Sequence, residues 1–122
     1  MQVSLITFFI SGIAFSALAI PLIRKKIKIN NWYGIRIPQT LDDEDVWYEV
    51  NALMGKYIFS WGIFISVLTI YFFLNPTDPE YLMIYILLVI LISGAILLVI
   101  VSYKVSNNIT LRKRSEKEEN YE

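Results

Sequence analysis

Three long stretches without a charged residue constrain the fold more than any other feature of the sequence. They are Val3–Ile23 with 21 residues, Tyr57–Leu74 with 18 and Tyr81–Tyr103 with 23. As α-helices they would be about 31, 27 and 34 Å long, and the hydrocarbon core of a bilayer is about 30 Å thick. Helices packed in a soluble core rarely stay apolar on every side over such lengths. The sequence therefore predicts an all-α, polytopic membrane protein with three transmembrane helices.

The composition excludes several kinds of site. The 122 residues include neither Cys nor His, which removes thiol nucleophiles, Cys/His zinc sites, disulfides and imidazole acid–base groups. The acidic run Asp42–Asp45 does not follow the spacing of a calcium loop and is typical of a solvated helix start. Because the three spans carry no ionisable group, a transporter or channel is disfavoured as well. We expect one domain, no cofactor, no metal and no enzymatic activity.

The start of the chain requires comparison with a secretory signal. Ala17–Ala19 resembles a small-residue cleavage site, but no basic residue precedes the first apolar run and several follow it. That charge order is the reverse of a cleaved signal peptide. We expect the first span to remain uncleaved.

The placement of basic residues predicts the topology. All 11 lie either between the first two spans or after the third, and the connection Asn75–Glu80 has none. Basic residues concentrate on the cytoplasmic side of membrane proteins. We therefore expect a cytoplasmic C-terminus and first connection, with the N-terminus and Asn75–Glu80 outside. The basic run at Arg24–Lys28 then suits lipid headgroups better than nucleic acid.

The segment Asn30–Gly55 is the only long polar interruption between the apolar runs. Gly34 and Pro38 favour a turn and an extended path. Thr40 is predicted to be a helix N-cap, with Asp43 three residues later as a capping-box variant. A helix would then begin near Leu41. It either continues unbroken into the second span or breaks at Gly55.

Trp47, Asn51 and Gly55 are spaced four residues apart, so they share one face of that helix. Asn51 can bond a backbone group of the preceding loop, and Gly55 lets the loop or another helix come close. Arg36 has two interpretations. It pairs with the acids of Asp42–Asp45 or caps a helix end, or it offers a guanidinium to a partner's carboxylate or a lipid phosphate.

Small residues recur in every span. Gly12 with Ser16, Gly62 with Ser66, and the run Ser93–Ala95 predict close packing of the three helices, and a homo-oligomer is an open alternative. Asn107 and Asn108 are expected to end the third helix. The residues from 107 to 122 would then form a mobile, mixed-charge tail.

One constellation of residues resembles the hallmark of a known family. It comprises Asn30, Tyr33, Gly34, Arg36, Pro38, Thr40, Trp47, Asn51 and Gly55. The spacing is similar to the N-x-x-Y-G-x-R segment, the following Thr and the W-x-x-x-N-x-x-x-G helix of the SdpI/YfhL family of bacterial membrane proteins. The resemblance covers most of the chain, including the three-span layout. Ile37 departs from it, since many members have Thr there.

The resemblance implies a function. It suggests a multi-pass protein of the bacterial plasma membrane that confers immunity to a secreted peptide toxin, sequesters a cytosolic transcriptional repressor, or does both. The nine hallmark residues would form a partner-binding cap on the cytoplasmic side. Expected partners are the lipid bilayer, a peptide toxin and a repressor, without direct nucleic-acid contact. The alternative is a small regulatory or assembly subunit that packs against a larger membrane protein.

Overall fold

The computed structural model describes residues 2–76 and 81–120, which form four helices. They are α1 (Gln2–Ile23), α2 (Pro38–Asp42), α3 (Glu44–Leu74) and α4 (Tyr81–Glu119), and this part of the chain contains no strand. The helices α1, α3 and α4 are long and apolar enough to cross a membrane, which confirms the predicted fold class. The predicted turn Asn75–Glu80 lies largely outside the described residues.

The long helices form an antiparallel bundle with α3 in the middle. Near one end, Leu5 of α1 and Phe72 of α3 share an apolar cluster with Met83 and Leu87 of α4. Near the other end, the start of α3 meets the end of α1 and the C-terminal half of α4. We call this second end the motif end, because it holds the hallmark residues, and the first the opposite end.

Small residues let α1 and α3 approach closely. A Cβ added to Gly12 would lie only 2.6 Å from the Gly62 carbonyl oxygen, so no larger residue fits there without separating the helices. The Ser16 hydroxyl lies 3.1 Å from the Phe59 carbonyl oxygen and thereby bonds across the seam. These contacts confirm that the small residues serve packing within the chain. Gly94 of α4 packs in the same way against the indole of Trp61.

The helix of the second span is continuous. α3 contains 31 residues and does not break at Gly55, so the first of the two alternatives is confirmed. Its start differs from the prediction, because the backbone of Asp43 is extended (φ −140°, ψ 118°) and separates α3 from the short α2. The side chain of Asp43 accepts hydrogen bonds from the amides of Asp45 and Val46, at 2.9 and 3.2 Å. Asp43 is therefore the N-cap of α3.

The helix of the third span extends beyond its predicted end. α4 runs to Glu119, so the predicted helix end at Asn107–Asn108 is wrong. Residues 107–119 are helical, and the mobility of the tail stays a prediction. The physical reason for the longer helix is that Val105 and Ile109 continue the apolar face of α4 and pack against Val46, Val50 and Met54 of α3. Two exposed Asn residues destabilise a helix only slightly, and the apolar contacts of Val105 and Ile109 outweigh that cost.

Candidate functional site: a hydrogen-bonded cap at the motif end

The loop from residue 24 to 37 is shaped by the side chain of Asn30. Its carbonyl oxygen accepts hydrogen bonds from the amides of Trp32 and Tyr33, at 2.8 and 2.7 Å. Its amide nitrogen donates to the carbonyl oxygens of Lys28 at 2.8 Å and Tyr33 at 3.2 Å. Asn is favoured in such turns because its short side chain mimics a backbone group. All four bonds lie within the loop, so Asn30 fixes the loop locally.

Tyr33 and Gly34 follow directly in the turn. Tyr33 is half-buried, and burial raises the pKa of its phenol. Gly34 has φ +110°, a conformation that side chains rarely adopt. A Cβ at this position would also lie 2.6 Å from the Asn51 side-chain oxygen and 3.2 Å from the Trp47 ring. Only glycine lets the loop lie against α3 at this point.

Two side chains of α3 hold the loop in place. The Asn51 side-chain oxygen accepts a hydrogen bond from the Ile35 amide at 2.6 Å, and its nitrogen donates to the Trp47 carbonyl at 3.0 Å. The indole N–H of Trp47 donates to the Ile27 carbonyl at 2.8 Å. Trp47 is fully buried and Asn51 is 2 % exposed. The predicted bond between Asn51 and the loop backbone is confirmed.

Thr40 acts differently from the prediction. It lies within α2, whose N-cap is Ile37 and whose first residue is Pro38, so the prediction of Thr40 as the N-cap is wrong. Pro38 starts the helix earlier, because its fixed φ suits the first helical position. The buried Thr40 hydroxyl accepts from the Ile37 amide at 3.1 Å and lies 2.8 Å from the Ile35 carbonyl. It ties α2 back to the loop.

Gly55 contacts α1 and does not contact the loop. A Cβ here would lie 2.9 Å from the Ile23 side chain and 3.2 Å from the Ala19 carbonyl oxygen. The predicted close approach of another helix at Gly55 is therefore confirmed. Gly55 sets the distance between α3 and the point where the loop leaves α1.

Arg36 is exposed. Its guanidinium donates to the Asn31 carbonyl, and it forms no ion pair with the acids of Asp42–Asp45 in the described part of the chain. The structural interpretation of Arg36 as a partner of these acids is wrong, because other cations reach them. Its outer face stays accessible.

The cations that reach the acids belong to α4, and the sequence reasoning missed them. Lys113 lies 2.7 Å from the Asp43 carboxylate and 3.0 Å from that of Asp45, and Arg112 lies 3.0 Å from that of Glu49. The hydrogen bond from Lys113 holds the pKa of Asp43 below its ordinary value, and that same bond holds the pKa of Lys113 above its own. The one available signal was the charge complementarity between the Asp42–Asp45 run and the basic residues near 113.

The loop, α2, the first turns of α3 up to Gly55 and the end of α4 thus form one unit, which we call the cap. Six of the nine predicted site residues bond or pack inside it: Asn30, Tyr33, Gly34, Thr40, Trp47 and Asn51. Pro38 is exposed at the start of α2, Gly55 packs against α1, and Arg36 lies on the surface of the cap. Trp32, which the hallmark does not include, is 92 % exposed beside them. Within residues 2–76 and 81–120, no cluster of His, Cys, Asp or Glu is arranged to hold a metal ion.

Comparison with known proteins identifies a family. The model of the SdpI/YfhL protein family matches residues 26–103, which contain the hallmark loop, α2, α3 and the uncharged part of α4. The matched region begins after α1. No curated protein and no solved structure matches the chain. Since the match spans more than half of the chain, this multi-pass membrane protein belongs to the SdpI/YfhL family.

Proposed function

We propose that this protein sequesters a cytosolic transcriptional repressor at the bacterial plasma membrane and protects the cell from a secreted peptide toxin. One observation carries the proposal: Trp32 and Arg36 are exposed on a loop whose backbone is fixed from within. A large aromatic ring and a guanidinium are the residue types that dominate binding at protein interfaces. A loop held in one conformation also loses little entropy when it binds.

The charge distribution supports a cytoplasmic cap. All 11 basic residues lie in the segments that meet at the motif end, and basic residues favour the cytoplasmic side. In this orientation the N-terminus faces outward and the exposed face of the cap meets cytosolic proteins. A C-terminal reporter fusion that is active only in the cytoplasm tests the orientation, and a fusion that is present in the membrane but inactive contradicts it.

Repressor capture is tested by fractionation. Cells that express the protein with candidate repressors are separated into membrane and cytosol, and the membrane-bound share of each repressor is measured. We expect Trp32→Ala and Arg36→Ala to release the repressor while insertion and thermal unfolding stay unchanged. Tyr71→Ala is the matched control, because Tyr71 is an exposed aromatic at the opposite end. Full capture by both cap variants would refute the proposed docking surface.

A toxin acting from outside would meet the opposite end. There an apolar groove of about 160 Å³ opens between α1 and α3. Its lining consists of Leu5, Ile6, Phe9, Thr69, Ile70 and Phe73. Ile70→Trp should fill this groove and remove protection of a sensitive bacterium, with repressor capture intact. Ile63→Trp on an exposed face of the same helix is the control.

The second candidate is a regulatory subunit of a larger membrane protein. It is favoured by the exposure of α4. Only 6 % of the most apolar stretch of α4 is buried inside the chain, against 28 % of the corresponding stretch of α3. Purification in mild detergent distinguishes the two: a stoichiometric membrane partner favours the subunit, and a lone chain or homo-oligomer favours the first proposal.

A further inference from the structure

An open cavity of about 460 Å³ lies at the motif end, between the end of α1, the start of α3 and the C-terminal part of α4. Charged side chains of both signs line it. They are Lys25, Asp45, Glu49, Arg112, Lys113 and Glu116. With three cations and three carboxylates, the lining is neutral overall. A purely anionic or purely cationic ligand would meet as much repulsion as attraction.

Two of the three cations already have carboxylate partners. Lys113 pairs with Asp43 and Asp45, and Arg112 pairs with Glu49 at 3.0 Å and Glu116 at 3.7 Å. Lys25 forms no ion pair in the part of the chain that the structure describes. The cavity therefore offers one ammonium group free to meet an anion. Arg112 donates to both oxygens of Glu49, at 3.3 and 3.0 Å, and lies 3.7 Å from Glu116. Both carboxylates retain acceptor positions, since a carboxylate has about four lone-pair sites.

The backbone of Lys25 is the second observation. The Lys25 amide donates to the Leu22 carbonyl and the Lys26 amide to the Pro21 carbonyl, both at 3.0 Å. These two hydrogen bonds form a Schellman motif, which ends a helix with a residue in the left-handed conformation. Lys25 has φ +54°, where glycine is the favoured residue. The fold thus places an unpaired lysine at a position where a glycine would stabilise the helix end better. Its side chain lines the cavity.

The cavity also lies next to the membrane. Lys25 follows α1 by two residues, and Ile23 packs against Gly55, one residue before Lys56 on α3. These first charged residues mark the edge of the hydrocarbon layer, and the headgroup region extends about 5–8 Å beyond it. Lys25 therefore lies at headgroup depth. The remaining lining residues, on α3 and α4, lie further from the hydrocarbon layer.

We propose that this cavity binds a zwitterion with a phosphate and a primary ammonium, the ethanolamine phosphate group. The phosphate lies against Lys25, and the ammonium donates to the carboxylates of Glu49 and Glu116. Choline phosphate fits less well, because a quaternary ammonium has no N–H to donate to carboxylates and Tyr48 is the one aromatic residue in the lining. A phosphatidylethanolamine headgroup and free phosphoethanolamine share this chemistry, and the depth of Lys25 favours the lipid.

The test uses the full chain in detergent with lipids of identical acyl chains. Phosphatidylethanolamine, phosphatidylcholine, phosphatidylglycerol and free phosphoethanolamine are added in turn, and bound molecules are measured by native mass spectrometry and by the shift in melting temperature. We expect phosphatidylethanolamine to bind about tenfold more tightly than the other two lipids, the ratio that one charge-assisted hydrogen bond gives. Equal or tighter binding of phosphatidylglycerol, or no preference among the lipids together with no binding of phosphoethanolamine, overturns the proposal. Binding of phosphoethanolamine without any lipid preference supports the chemistry and assigns it to a soluble source.

Lys25→Gly separates binding from folding. It relieves the left-handed backbone, so the melting temperature should stay equal or rise, while the affinity for phosphatidylethanolamine falls about tenfold because the phosphate loses its cation. Lys26→Gln is the matched control, because Lys26 is an exposed neighbour that does not line the cavity. Unchanged affinity for phosphatidylethanolamine in Lys25→Gly, or an equal loss of affinity in Lys26→Gln, would overturn the role of Lys25.

Discussion

The helices α1 and α3 are joined in two different ways at two depths of the molecule. In the part that crosses the membrane, the contact is made by small residues such as Gly12 and Gly62. In the cap, large side chains of α3 bond individual backbone groups of the loop, as Trp47 does with Ile27. The hydrophobic effect drives helix association only weakly in lipid, so van der Waals packing holds the helices together there. An irregular loop has unpaired backbone groups, and each of these needs its own partner.

The largest expected effect tests the cap. Trp47→Ala removes a fully buried ring and the hydrogen bond to the Ile27 carbonyl. We expect a loss of about 3–5 kcal/mol in the free energy of unfolding, the usual range for such a truncation. Equilibrium unfolding in mixed detergent measures it. Trp32→Ala is the control, since an exposed ring should change stability by less than about 0.5 kcal/mol.

Gly34→Ala should have the next largest effect. The added methyl group meets Asn51 and Trp47 in a backbone conformation that favours glycine. We expect a loss of about 2–3 kcal/mol from strain and contact together. Relative to the unchanged protein, amide hydrogen exchange should become faster in the loop and stay the same in α1. Asn31→Ala, at an exposed position of the same loop, should leave exchange unchanged, and similar exchange in both variants would contradict the role of Gly34.

Gly62→Ala tests the membrane part of the comparison. A Cβ here meets the backbone and hydroxyl of Ser16 on α1, so α1 has to move away. We expect a loss of about 1–3 kcal/mol, as for overpacking in other cores. Hydrogen exchange at Ile35 should stay slow because the cap bonds are untouched. Ala17→Leu on the exposed side of α1 is the control, and a cap that loosens with the seam would show that the two regions are not separate.

Lys113→Gln should have a smaller effect. It removes the ion pairs that fix the end of α4 on the start of α3. Because these groups are partly exposed, we expect a loss of only about 0.2–1 kcal/mol, with faster exchange in residues 110–119. Lys117→Gln, an exposed lysine four residues further on, should leave the helix end unchanged. A loss above that range would mean that Lys113 holds more of the cap than its contacts indicate.

The pH dependence has the smallest expected effect. Since the folded pKa of Asp43 is lowered, its stabilising contribution is present above the unfolded value of about 3.9 and is lost as pH falls through the folded pKa. Since the folded pKa of Lys113 is raised, its contribution is present below about 10.4 and is lost as pH rises through the folded pKa. The contribution of this ion pair should therefore be flat between these values, and Asp43→Asn should remove its acid-side decline while keeping the N-cap.

The sequence was sufficient for the spans, the Asn51 bond and the close approach at Gly55. These features follow from local properties: length without charge, a polar group among apolar neighbours and the absence of a side chain. The errors concern choices between competing partners. Arg36 was predicted to pair with the acids nearest in sequence, but Lys113 reaches them, because α4 continues about 24 Å past Tyr103. The sequence around Asn107 does not predict that α4 continues. That continuation depends on the apolar contact of Val105 and Ile109 with α3.

The uninterrupted course of α3 has a mechanical consequence. Its 31 residues form a stiff rod about 46 Å long, without a hinge between the groove near Phe73 and the ring of Trp47. A sideways displacement of one end of α3 is therefore transmitted along the helix to the other end. The Ile27 carbonyl, bonded to that ring, connects this end of α3 to the loop. A stimulus at the far surface thus has a direct route to the loop that carries Trp32 and Arg36.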